Sequence, residues 1–381
     1  DNKIERTVNF KKSPRYHLYQ STLELIQHNF ILGVGPGNWK IDIPQYGLYS
    51  GEQIEVKYSQ GNFFAQRPHN DILWIAAESG VLSGIVYILI FLFLIRYCYN
   101  LIKNKEKQEA LFFALILSTL IGYFIISLFD FPFERISHNI LFSVLSALII
   151  AESIKKSSNY SITFSNIISC IFLACTVFVI YVGGIRYYGD LQIKKVKKHQ
   201  QNKQWDLLVN SIEKGYNKYF FEVDNTATPL PWFSGLAYFN NNNIQHAFNS
   251  FQKAYDINPN HVHVINNLAT CYHLMGDTER AIDLYNESLI ILPTFQESRI
   301  NLAAIYYNQK RKVKALDVIL QSRPFSYEIR KSINDRYDFY LKKIVYAYLE
   351  DFHLDAIKED QLLIDSFMDL FNRDPNRADK M

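Results

Sequence analysis

Two regimes of apolar spacing divide the chain. From residue 72 to about 185, Ile, Leu, Phe, Val and Ala run in long stretches broken by few charges. A bilayer core needs about 20 apolar residues of helix. Four spans are therefore predicted, at 72–95, 110–129, 136–151 and 162–184. The third is the shortest and opens on His138 and Asn139, yet without it its neighbours would not alternate across the bilayer. Glu78 is the one charge in the early turns of the first. Arg96, Lys103, Lys105 and Lys107 follow the first span, and Lys155 and Lys156 the third. Positive loops mark the cytoplasmic side. Residues 1–71, the 130–135 turn and everything after 184 are then expected on the opposite side. Arg186, Lys194, Lys195, Lys197 and Lys198 oppose that orientation, but long trailing domains weigh less in the rule than short loops.

Beyond the apolar region the pattern changes to a step of 34 residues. Gly235, Ala269 and Ala303 keep it, as do Tyr238, Tyr272 and Tyr306, and Ala247, Ala281 and Ala315; Pro259 and Pro293 share the same spacing. Small residues twelve apart let two antiparallel helices approach closely, an aromatic fills the groove between them, and proline ends the second helix. The pattern resembles the tetratricopeptide repeat over 231–327. Ser234 stands where later units have Leu268 and Leu302, and Tyr327 stands where a third proline was due. Such arrays present a concave surface that binds a peptide or protein. Residues 190–225 and 329–372 also read as helical, as irregular or capping units.

Composition narrows the function. The net charge of +3 is too small for a nucleic-acid binder, and no basic stripe alternates with stacking aromatics. Cys98, Cys170, Cys175 and Cys271 form neither a disulfide framework nor a CxxC metal pattern. The start Asp1-Asn2-Lys3 has no apolar leader, and a larger membrane protein with earlier spans is expected. The predicted organisation is all-α: a motif-bearing loop at 1–71, four transmembrane helices at 72–185, a linker with irregular helices at 186–230, repeats at 231–327 and C-terminal helices at 328–381.

Candidate chemistry sits just before the first span. Ser13-Pro14-Arg15 reads as an N-cap, a first-turn proline and the start of a helix, with Leu18, Thr22, Leu23 and Ile26 on one face. An arginine near a helix N-terminus does not help the dipole, so Arg15 is either solvated or present to hold an anion. Gly33-Val34-Gly35-Pro36-Gly37 lacks the GxGxxG pattern and reads as a tight turn at the membrane surface. Arg67-Pro68-His69-Asn70-Asp71 places a titratable imidazole beside a cation. Asn70 either orients that imidazole or, more simply, caps the following helix. Arg67 adds positive charge beside it, and Glu78 is a candidate for setting its geometry. Asp130, Glu134, Arg135 and His138 read as interfacial charges that pair with one another.

Taken in order, these pieces resemble the O-antigen ligase family: Arg15 opening a helix, Gly33-Val34-Gly35-Pro36-Gly37-Asn38-Trp39, His69-Asn70, and Gly80 after nine further residues. Ser83, with Gly84 one step on, stands where the family has a second glycine. The resemblance covers roughly 13–150. It implies a multi-spanning bacterial inner-membrane glycosyltransferase whose large periplasmic loop carries a functional arginine and histidine, here Arg15 and His69 as the catalytic pair. Arg67, Asn70 and Glu78 are then substrate-binding candidates. The implied donor is a glycan on undecaprenyl pyrophosphate. The implied acceptor is lipid A–core, a glycan chain or a protein, with no metal and no cofactor. A competing reading is a membrane-anchored scaffold whose repeats recruit envelope proteins without catalysis. A transporter fits poorly, because the spans show no broken helices or paired midplane charges.

Overall fold

The computed structural model describes residues 14–48, 65–155, 166–321 and 331–351. Those residues are almost wholly helical, with two isolated bridges, Asn217 to Phe221 and Val223 to Pro229, in place of any sheet. They fall into two compact units that divide at Gly183 and Gly184.

In the first unit, α1 (Pro14–His28) is followed by the short α2 (Trp39–Asp42) and a 3-10 turn (Ile43–Tyr46). Leu18, Thr22, Leu25 and Ile26 form its buried face. Leu23, expected on that face, is exposed instead, because a step of five residues carries it round the helix away from Leu18. The buried face packs on Trp39, Ile43, Ala76 and Ala77. Trp39 is fully buried, and its indole Nε1 donates to Thr22 Oγ1 at 3.3 Å. A buried indole without such an acceptor would be costly.

The apolar run expected as one span from 72 to 95 is two helices, α3 (Asp71–Ser79) and α4 (Val81–Asn104). Gly80 separates them with φ 84° and ψ 160°, a conformation essentially reserved for glycine. The break has a packing cause. Val34 N and Gly35 N donate to Ala77 O and Glu78 O, each at 2.9 Å, and Val81 N donates to Phe30 O at 3.0 Å. The glycine turn thus caps the last carbonyls of α3, which a continuous helix would have used internally. A Cβ on Gly80 would lie 1.9 Å from Ile31 O, and one on Gly33 (φ 66°) would lie 2.4 Å from the Glu78 backbone. Gly84, the displaced second glycine, sits against Ala76 and lets α3 and α4 pack closely.

Helices α4, α5 (Lys107–Ser127), α6 (Ile136–Lys155) and α7 (Asn166–Gln201) are each long and apolar enough to cross a membrane. The four spans therefore exist as helices, the first beginning at Val81 rather than at residue 72. Residues 162–165, assigned to the fourth span, lie outside the described residues. Leu94, Cys98, Leu101, Phe113, Ile116, Leu120 and Ile149 make a core between α4, α5 and α6. Between α5 and α6 a short turn carries a 3-10 segment, Pro132–Glu134. At 36 residues α7 is about 54 Å long, far more than a bilayer core requires.

The second unit contains the end of α7, α8 (Trp205–Gly215) and paired helices: α9 (Leu230–Asn240) with α10 (Ile244–Ile257), α11 (Val262–Leu274) with α12 (Thr278–Ile291), and α13 (Gln296–Asn308) with α14 (Lys312–Leu320). The expected helix at 190–225 is interrupted, since 217–229 is a loop held by the two bridges. Helix α15 (Lys331–Asp351) follows, and residues 352–372 lie outside the described residues. Ala269 and Ala303 in the first helices, and Ala247, Ala281 and Ala315 in the second, are completely buried. At Gly235 a Cβ would lie 2.5 Å from the Phe251 ring, which is the close helix approach read from the repeat spacing.

Gly80→Ala is expected to destabilise the first unit by more than the ~1–3 kcal/mol that a strained backbone costs, because its Cβ also meets a carbonyl. Gly37 has the same φ of 84° with nothing within 4 Å of an added Cβ, so Gly37→Ala carries the strain alone. Thermal unfolding of the two variants in detergent checks this. Equal losses would disprove the interlock of the turn with α3.

Candidate active site

The site is built around the first residues of α3. Asn70 is its N-cap: Oδ1 accepts from Leu73 N at 3.0 Å, while Nδ2 donates to Leu128 O at 3.1 Å. One amide therefore starts the helix and ties it to the end of α5. His69, just before the cap, has φ 54°, a left-handed conformation uncommon outside glycine and seldom retained without a local reason. Its carbonyl accepts from the Tyr19 hydroxyl of α1 at 3.1 Å. Tyr19 Oη also lies 3.4 Å from Leu128 O. So α1, the His69 segment and the α5–α6 turn meet at one place.

The imidazole is 40% exposed, but Nδ1 is buried and has no hydrogen-bond partner among the described residues. Nδ1 faces Asp130 Oδ1 at 3.7 Å, within ion-pair reach but too long for a hydrogen bond. The ring packs on Phe131 with centroids 5.2 Å apart. Burial lowers the His69 pKa below its usual 6.5, and the charge of Arg15 lowers it further, while Asp130 pushes it up. The imidazole is therefore neutral at neutral pH, with the accessible part of the ring away from Nδ1. Arg15 is exposed near the start of α1, one turn before Tyr19, and its field reaches both Tyr19 and His69. Arg15 and His69 are thus linked through Tyr19, which lies one turn from the arginine on α1 and donates to the His69 carbonyl.

Arg67 is also here, but its charge is engaged. Its guanidinium grips Glu134 with two nitrogens, Nη2 at 2.6 Å from Oε1, and lies 4.5 Å from the Phe131 ring centre. Arg135 Nη2 pairs with Asp130 Oδ2 at 2.8 Å and covers the same ring at 5.0 Å. The reading of 130–138 as self-paired charges therefore holds only for Asp130 and Arg135. Glu134 belongs to Arg67, and Asp130 also faces His69. Two guanidinium groups, Arg67 and Arg135, thus stand with two carboxylates, half-buried Asp130 and exposed Glu134, around Phe131. Glu78 lies elsewhere: its Oε1 accepts from Trp39 N at 3.3 Å. About 12 Å of helix rise separates it from Asn70. Its carboxylate holds the start of α2 rather than the His69 geometry.

Asp71, absent from the sequence-derived site, is completely buried. Oδ2 accepts from Phe133 N at 3.0 Å and from the Tyr87 hydroxyl at 3.5 Å. Burial pushes its carboxyl up to about 7. Its position directly after a histidine and a helix cap was the one available signal. Among the described residues no cluster of three or more His, Cys, Asp or Glu is arranged to hold a metal.

This geometry defines a membrane-associated polar site at the mouth of apolar helices, joined in sequence to a helical repeat. In comparison with known families, the O-antigen ligase family matches residues 2–88, and tetratricopeptide repeat families match 232–261 and 250–283. The chain carries an O-antigen ligase segment at its N-terminal end and tetratricopeptide repeats toward its C-terminal end. Among solved structures, a crystal structure of MamA is 17% identical, with TM-score 0.29, over 44% of this chain and 89% of that one. A P212121 form of MamA AMB-1 is 20% identical, with TM-score 0.31, over 45% and 98%. Likenesses of that size bear on neither function nor partners. The comparison with curated proteins gave no match.

Replacing Asp130 by Asn removes a carboxylate whose charge raises the His69 pKa. The charged imidazole loses a stabilising partner, so the midpoint of His69 titration is expected to move to lower pH. The pH dependence of diethyl pyrocarbonate labelling at His69, read by mass spectrometry, measures it. A midpoint that moves upward or stays fixed contradicts this electrostatic picture.

Proposed function

We propose that the chain is part of an O-antigen-ligase-like glycosyltransferase. It moves a glycan from a polyprenyl pyrophosphate, as on undecaprenol, to a hydroxyl acceptor at the periplasmic face of the bacterial inner membrane. The acceptor is lipid A–core, a glycan chain or a protein side chain. The observation that carries this reading is the hydrogen bond from Tyr19, one turn along α1 from Arg15, to the His69 carbonyl, which brings the arginine's helix to the histidine beside the first span.

The residue chemistry suits such a transfer. The bond to be broken joins the anomeric carbon to a phosphate oxygen, already a good leaving group. Arg15 keeps its charge at any relevant pH and can bind phosphate oxygens through two nitrogens. As the acceptor oxygen attacks, the C–O bond to phosphate breaks, the electron pair leaves with the pyrophosphate, and the acceptor proton passes to His69. With Nδ1 turned toward Asp130, Nε2 is the nitrogen left to take it. A histidine held neutral by burial is ready as a base near pH 7, and Asp130 compensates the imidazolium that forms. Attack opposite the leaving group inverts the anomeric centre. In this metal-independent scheme arginine supplies the charge that stabilises the departing pyrophosphate.

The repeats support a second role within the same protein: a concave surface for a peptide or protein partner, which fits either a protein acceptor or a partner that delivers one. The competing scaffold reading makes a different demand. In it, residues 190–381 alone would restore the phenotype of a gene deletion.

His69→Ala at normal protein level is expected to reduce glycan transfer in cells by about 100- to 10,000-fold, the usual worth of a general base. Arg15→Ala should weaken donor use, and Arg15→Lys should recover only part of it, since a single ammonium lacks the two-pronged grip. Full transfer by His69→Ala would refute the assignment of the base.

A further inference from the structure

Asp71 is the least expected group in the first unit. It is a carboxylate with no exposed surface, and the charged groups named as acting on it among the described residues, Asp130 and Glu134, are themselves acids. Tyr87 faces it from α4, Tyr123 from α5, and Asp130 and Glu134 from the α5–α6 turn. Oδ1 has no hydrogen-bond partner among the described residues. Burying a carboxylate on such terms is costly, so its retention requires a compensating role. Capping α3 is not that role, because Asn70 already fills it. The short hydrogen bond of Asp71 goes instead to Phe133 N, in the middle of the turn. Two and three residues before that nitrogen stand Phe131, which packs on the imidazole, and Asp130, which faces its Nδ1. One residue after it stands Glu134, which holds Arg67.

We propose that Asp71 is a positioning residue: its buried carboxylate fastens the turn between α5 and α6 across His69, so that Asp130 and Phe131 hold the imidazole. It touches no substrate, being inaccessible, and acts through the turn. This rests on reading His69 as the base of the transfer reaction. A merely structural carboxylate would alter the yield of folded protein. A positioning carboxylate also alters the titration of His69, because Asp130 leaves its place when the anchor is lost.

The test uses the full chain in detergent, with diethyl pyrocarbonate labelling of His69 followed against pH by mass spectrometry. In Asp71→Ala the labelling midpoint is expected to fall by about half a unit, the scale of a solvent-screened ion pair. Asp71→Asn, which keeps an acceptor for Phe133 N but no charge, should stay near the wild-type midpoint. The double variant Asp71→Ala/Asp130→Asn should shift no further than Asp130→Asn alone, since coupled sites are non-additive. Where Asp71→Ala is not recovered folded, Phe133→Pro removes the donor of the same bond and should give the same shift. An unmoved midpoint in Asp71→Ala or Phe133→Pro overturns the proposal. So does an equal shift in Asp71→Asn, or an additive shift in the double variant. Absence of glycan transfer by the wild-type chain would instead defeat the functional reading and leave the labelling result intact.

Discussion

The break at Gly80 is the constraint on which the first unit depends. An uninterrupted helix from Asp71 into α4 would satisfy its own carbonyls at Ala77 and Glu78 and leave nothing for the glycine turn to bind. With the break, those carbonyls accept from Val34 and Gly35, and Val81 N reaches back to Phe30 O. α3 is thereby held at both ends, by the turn after α1 at its C-terminus and by Leu128 through Asn70 at its N-terminus. Leaving backbone groups of this kind unpaired is costly once they are removed from water, as at buried Ala77. The grip at both ends fixes where α1, and with it Arg15 and Tyr19, stands relative to His69.

Electrostatics then sets the chemistry. Phe131 is the platform for the charged side chains: His69 packs on it, and Arg67 and Arg135 both lie over it. The carboxylates answer selectively. Glu134 neutralises Arg67, Asp130 serves Arg135 and His69, and Arg15 approaches the imidazole from α1. That division suits an anion arriving near Arg15 and a proton arriving at the accessible edge of His69. Exposed pairs of this kind contribute little to stability, so their value lies in orientation and field.

Much of this was legible in the sequence. A 34-residue step in small residues and tyrosines marked the repeat, because Gly235, Ala269 and Ala303 are buried where helices meet, and at Gly235 even a Cβ would meet the Phe251 ring. Spans were visible from length and apolarity alone. The glycine turn and the His-Asn spacing carried the resemblance to the family that matches residues 2–88. What hydropathy could not separate was α3 from α4, since Ile72 to Ile95 is equally apolar on both sides of Gly80 and the break comes from a partner far away in sequence. Asp130, Glu134 and Asp71 were misread or passed over for a related reason. Their partners are His69, Arg67 and Phe133, some sixty residues distant, and a single chain carries no local signal of such pairings. Glu78 was over-read, its charge in an apolar run being used to hold Trp39 N.

The central claim is that Arg15 and His69 serve one diphosphate-linked sugar. The most direct measurement is a structure of the full protein with a polyprenyl diphosphate glycan, or a non-transferable phosphonate of it, bound. The account predicts diphosphate oxygens within about 3 Å of the Arg15 guanidinium, hydrogen-bond distance, and the sugar's anomeric carbon facing the Nε2 edge of His69. A diphosphate lodged elsewhere, with Arg15 and His69 both clear of the ligand, would contradict it.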